Sequence, residues 1–111
     1  MRVTAHVWIG RTGALIQFVN FDDRAWHAGQ SNYQGRDNCN DFSIGIELEG
    51  TDEQPYTGLQ YFQLCAVTRA LLAYYPQLGQ EKIVGHSDIA AGRKTDPGPS
   101  FDWQHFRGSP W

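Results

Sequence analysis

The chain has 111 residues, 41% of them hydrophobic and 19% charged, which fits one globular core and leaves no room for a second lobe. A net charge of −3, with basic residues scattered apart from the adjacent Arg93 and Lys94, excludes the basic stripe of a phosphate-backbone binder, so no nucleic-acid partner is expected. No apolar run approaches the roughly 20 residues of a membrane span, and the start lacks the apolar core of a signal peptide, so the expectation is a cytoplasmic protein without a membrane partner.

In chain order, Val3 to Ile9 alternates, with Val3, Ala5, Val7 and Ile9 on one face and Thr4, His6 and Trp8 on the other, which predicts a half-buried strand. Gly10 to Gly13 predicts a turn and Ala14 to Val19 a second strand, together a hairpin. Asn20 to Asn40 is a long polar connection without a period. Connections of that length tend to be functional or disordered, and Trp26-His27 in its middle favours function. Ser43 to Glu49 is the cleanest strand, with Ile44, Ile46 and Leu48 on one side and Ser43, Gly45, Glu47 and Glu49 on the other.

Thr57 with Gln60 forms a capping box that opens a helix to Tyr75, ended by Pro76. Leu59, Phe62, Ala66, Ala70 and Ala73, flanked by Leu71 and Leu72, are its expected apolar positions. Ile83-Val84 predicts a short strand, followed by a long loop from Gly85 to Pro99 and a last short helix capped by Ser100 and carrying Phe101, Trp103 and Phe106. The order predicts one mixed α/β domain over residues 1–111, a single mixed β-sheet with flanking helices. Cys39 and Cys65 are expected to be free, buried thiols rather than a disulfide scaffold.

The chemistry concentrates after the last strand. His86 and Asp96 carry donors suited to zinc, and Pro97-Gly98-Pro99 stiffens the backbone beside Asp96. Lys94, two residues before Asp96, would project on the same side in an extended segment. Spacing alone does not choose between this and a hydrogen-bonding loop histidine beside a turn-initiating aspartate, because a catalytic zinc takes three protein ligands. Glu47 is a candidate general base, since burying a carboxylate on a sheet is costly unless it is used or paired. Glu49 shares its face and is expected to be solvated; two solvated carboxylates on an outer face remain the alternative.

Three blocks occur here in the order of a known family: Arg24-Ala25-Trp26-His27-Ala28-Gly29, Asn40 to Gly50, and Gly85-His86 through Lys94-Thr95-Asp96-Pro97-Gly98. They resemble the zinc-dependent N-acetylmuramyl-L-alanine amidases, within them the cytoplasmic 1,6-anhydro-N-acetylmuramyl-L-alanine amidases of cell-wall recycling, from Val3 to Phe106. The resemblance implies hydrolysis of the amide between (1,6-anhydro-)N-acetylmuramic acid and L-alanine in peptidoglycan fragments. It implies Zn2+ as cofactor, His86 and Asp96 as ligands, Glu47 as general acid/base and Lys94 as the residue facing the oxyanion. Arg2, Trp26 and Arg93 would line the muropeptide cleft of a monomer. In the family a third ligand, a histidine, lies on a strand before the opening hairpin. That strand and its histidine have no counterpart here, and neither His6 nor His27 matches it. The expectation is a domain N-terminally incomplete, with weak zinc binding and little hydrolysis as it stands. The alternative is a muropeptide-binding module that does not cut.

Overall fold

The computed structural model describes residues 5–22, 32–37, 43–50, 54–76, 78–79, 82–89 and 96–108. A three-stranded mixed sheet organises them. Strand β1 (Val7–Ile9) lies in the middle, antiparallel to β2 (Leu15–Gln17) and parallel to β5 (Ile46–Leu48). The predicted hairpin is present: Gly10 N–H donates to Ala14 O (2.8 Å), and Gly13 takes φ +86°, a value that suits glycine. The predicted inward face of β1 is also correct, since Ala5, Val7 and Ile9 are buried. All three residues of β2 are exposed, so that strand supplies a ladder rather than core.

Inside the long polar connection, where no element was predicted, β3 (Asn32–Tyr33) and β4 (Arg36–Asp37) form a small separate hairpin. Its turn places Gln34 (φ 50°) and Gly35 (φ 84°) both at positive φ, the conformation of the tight hairpin turns that follow strand twist.

Helix α1 (Gly58–Tyr74) begins where the capping box places it. Thr57 Oγ1 accepts from Gln60 N–H (3.2 Å), and Gln60 Oε1 accepts from Thr57 N–H (2.9 Å). The face it buries differs from expectation. Gln60, Leu64, Thr68 and Leu71 point inward, while Leu59, Ala70 and Ala73 are exposed, as is Phe62 at 70%. Apolar residues occur all round this helix, so periodicity does not select a face. Gln60 decides it, because its amide N–H groups donate to the carbonyls of Glu49 (2.8 Å), just past β5, and Ile9 (3.3 Å), at the end of β1.

Two further expectations are corrected. Ile83-Val84 is not a strand: neither residue joins a ladder among the described residues, and the Ile83 carbonyl accepts from Arg107 Nη2 (2.7 Å). The segment after it is not wholly loop, because His86–Ile89 forms a helical turn, α2. The last helix, α3 (Trp103–Arg107), is capped by Asp102 rather than Ser100, with Asp102 Oδ1 accepting from His105 N–H (2.9 Å). Asp102 sits one residue before the helix, where its carboxylate reaches the third helical N–H. Val7, Ile9, Leu64, Phe101 and Phe106 form the core, with Ile46, Leu48, Tyr56 and Trp103 packed against it. Cys65 is a free thiol, half-buried rather than buried; Cys39 lies outside the described residues.

Candidate metal centre

His86 and Asp96 are ten residues apart in sequence and meet in space. His86 Nδ1 lies 2.5 Å from Asp96 Oδ2. The imidazole is 9% exposed and the carboxylate 48%, so the pair stands at the boundary between core and solvent.

Local chemistry sets this meeting from both sides. Gly85 N–H donates to Asp88 Oδ2 (2.9 Å) and Asp88 N–H to Gly85 O (3.0 Å), which turns the chain helical at His86. Ser87 N–H, within that turn, donates to Asp96 O (3.1 Å). Asp96, Pro97 and Gly98 (φ +80°) form the opposing turn, through a cis Asp96–Pro97 peptide. Tyr56 Oη donates to Pro97 O (2.7 Å). The two turns approach so closely that a Cβ on Gly85 would lie 2.8 Å from Pro97 Cδ.

A cleft of about 1160 Å³ opens beside the pair, lined by His86, Asp96, Glu47, Ile46, Leu71 and Val84 among others. Glu47, in the middle of β5 and half-buried, thus shares one concavity with the donor pair. Tyr75 and Asp22 also line the cleft; the Tyr75 hydroxyl donates to Asp22 Oδ1 (2.6 Å), and that bond pushes the phenol up to about 12. Glu49 is exposed, as expected, and has a structural use: its Oε1 accepts from Arg11 N–H (2.9 Å), tying the hairpin turn to the end of β5.

A neutral imidazole nitrogen and a carboxylate oxygen converging at one point suit zinc, so the donor chemistry fits as two of three ligands. Among the described residues no three His, Cys, Asp or Glu side chains are grouped so that they could hold a metal ion. His6 is not a ligand. It is fully buried, stacks on Phe21 at 6.1 Å, and its Nδ1 accepts from Gly45 N–H (3.0 Å), which puts the ring proton on Nε2. His105 is exposed and presents its ring to Tyr61. The predicted Lys94, Arg2, Trp26 and Arg93 lie outside the described residues, as does His27.

Sequence reasoning missed Gly85 as a packing requirement and Tyr56 altogether. A glycine directly before a candidate ligand was a usable signal for the first. Nothing local marks Tyr56, which reaches Pro97 from 41 residues away.

The sequence profile described as N-acetylmuramoyl-L-alanine amidase matches residues 1–99. The chain is 63% identical over 107 residues to the 1,6-anhydro-N-acetylmuramyl-L-alanine amidase AmpD of Escherichia coli (strain K12), covering 96% of this chain and 58% of that protein. Its structure is similar to the crystal structure of a Se-Met AmpD derivative, with TM-score 0.93 and 62% identity, over 96% of this chain and 59% of that one. It is also similar to the E. coli amidase AmiD in complex with the substrate anhydro-N-acetylmuramic acid-L-Ala-D-γ-Glu-L-Lys. There the TM-score is 0.89 and the identity 34%, over 96% of this chain and 47% of that one. The chain thus spans little more than half the length of the AmpD proteins it matches.

Proposed function

The chain belongs to the N-acetylmuramoyl-L-alanine amidase family, and from that premise we propose that it hydrolyses the amide between 1,6-anhydro-N-acetylmuramic acid and L-alanine in peptidoglycan fragments, using zinc. The observation that carries the reading is the convergence of His86 Nδ1 and Asp96 Oδ2 at a cleft that also takes Glu47. A resident zinc supplies Lewis acidity at the scissile carbonyl and a lowered pKa for water. His86 and Asp96 hold it. Glu47 takes a proton from the attacking water and delivers it to the departing L-alanine nitrogen, so that water and amide become acid and amine. Lys94 offsets the negative charge that develops on the carbonyl oxygen. Arg2, Trp26 and Arg93 orient the muropeptide.

The site of action in this proposal is the cytoplasm, in cell-wall recycling; no helix among the described residues is long and apolar enough to cross a membrane. Among the described residues β5 is paired on one side only, with β1.

The test is a zinc titration by calorimetry combined with mass-spectrometric detection of peptide released from an anhydromuramyl-peptide. Zinc binding is expected in the wild type and lost in His86→Ala. Slow peptide release is expected, and lost in Glu47→Gln with zinc binding retained. Release that survives Glu47→Gln removes the assigned base. Substrate bound but never cut, with zinc absent, returns the chain to the non-catalytic muropeptide-binding reading.

A further inference from the structure

Asp96 has a problem of position. Its side chain is nearly half exposed, so core packing does not hold it, yet it must meet His86 at one point. Its backbone is held at two places: Ser87 N–H on its own carbonyl, and Tyr56 Oη on the carbonyl of Pro97, 2.7 Å away. The first contact comes from the His86 turn itself. The second ties the Asp96 turn to the segment that opens α1.

We infer that Tyr56 is a positioning residue that sets the distance between the Glu47 strand and the His86–Asp96 donor pair, an inference that rests on the zinc reading above. The ring of Tyr56 lies against Gly50, where a Cβ would meet Tyr56 Cε1 at 3.1 Å, so it abuts the end of the strand bearing Glu47. The same ring meets Phe101 edge-on at 5.7 Å, and Phe101 is core. Its backbone is fixed as well. The next residue, Thr57, donates through Oγ1 to Arg11 O (2.6 Å) and opens α1. Gln60, its capping partner, donates to the carbonyls at the end of β1 and just past β5. Tyr56 is therefore a short strut of two χ angles, anchored on the sheet end at one side and on the Asp96 turn at the other. A phenylalanine would keep the ring contacts and lose the hold on Pro97. Tyr56 acts through Asp96 and touches no reacting atom in this scheme.

The experiment compares the 111-residue wild type with Tyr56→Phe and Tyr75→Phe. The last removes a different tyrosine hydroxyl on the cleft, the one bound to Asp22. Zinc affinity is read by calorimetric titration, the coordination by the visible spectrum of the Co2+ form, and the fold by the melting temperature without metal. Tyr56→Phe is expected to weaken zinc about tenfold, the lower range for loss of an outer partner of a metal ligand, and to shift the Co2+ bands. Tyr75→Phe is expected to leave both within twofold of wild type. A merely structural Tyr56 hydroxyl would lower the melting temperature and leave affinity and spectrum in place, which overturns the inference while wild-type binding keeps the zinc reading. A wild type that binds no zinc brings down both.

Discussion

Gly85→Ala tests how tightly the two turns of the site are fitted. An alanine Cβ would sit 2.8 Å from Pro97 Cδ, 3.3 Å from Trp103 Cζ2 and 3.4 Å from Asp96 O. Carbon atoms rest at roughly 3.5–4.0 Å, so clearing Pro97 alone needs about 0.7 Å of movement. None of the three neighbours yields easily. Pro97 is a closed ring on the backbone, Asp96 O is backbone, and Trp103 is wedged between Phe101 at 4.8 Å and Arg107 at 4.7 Å. Gly85 is not at positive φ, so alanine meets no backbone penalty and the effect is steric. Overpacking of this kind costs about 1–3 kcal/mol. In a domain of this size that is a fall of about 4 °C or more in melting temperature. Moving Pro97 also moves Asp96, and metal–ligand distances tolerate only about 0.2 Å, so zinc affinity should fall by about tenfold or more. Thermal melts of the metal-free protein and calorimetric zinc titration read the two effects separately. An alanine variant with wild-type melting temperature and wild-type zinc affinity would refute the argument that this contact sets the donor pair.

Glu47→Gln should lower peptide release by about 10²–10⁴-fold while zinc affinity and melting temperature stay in place, measured on the same preparation. Gln60→Leu keeps the volume in α1 but removes the amide donor from Glu49 O and leaves Ile9 O with the Glu49 N–H. Chemical denaturation should show a loss of about 1–3 kcal/mol. Thr57→Ala removes the cap and the bond to Arg11 O, and should cost about 1 kcal/mol by the same measurement. Phe62→Gln, on the exposed face of α1, should change stability by no more than about 0.5 kcal/mol, and a larger loss would mean that this face is packed in solution.

The sequence by itself determined the features governed by near neighbours. Alternation placed Ala5, Val7 and Ile9 inward, the Thr57–Gln60 pattern started α1 at the right residue, and the glycines of the first hairpin marked its turn. Glu47, His86 and Asp96 were legible as candidates because carboxylate and imidazole have few cheap uses at such places, and the family blocks joined them into one site. Tertiary structure decided what depends on distant partners. It turned α1 onto Gln60 and Thr68 instead of Leu59 and Phe62, because a buried amide bonded to two carbonyls is satisfied and no local pattern records those carbonyls. It buried His6, with its Nδ1 accepting from Gly45 N–H. Among the described residues it left Ile83-Val84 outside any ladder, since a strand needs a partner edge as well as β-branched residues. It brought Asp96 to His86 and set the hydroxyl of Tyr56, 40 residues before Asp96, on the Pro97 carbonyl. Contacts of that span are set by packing, which periodicity and spacing do not encode.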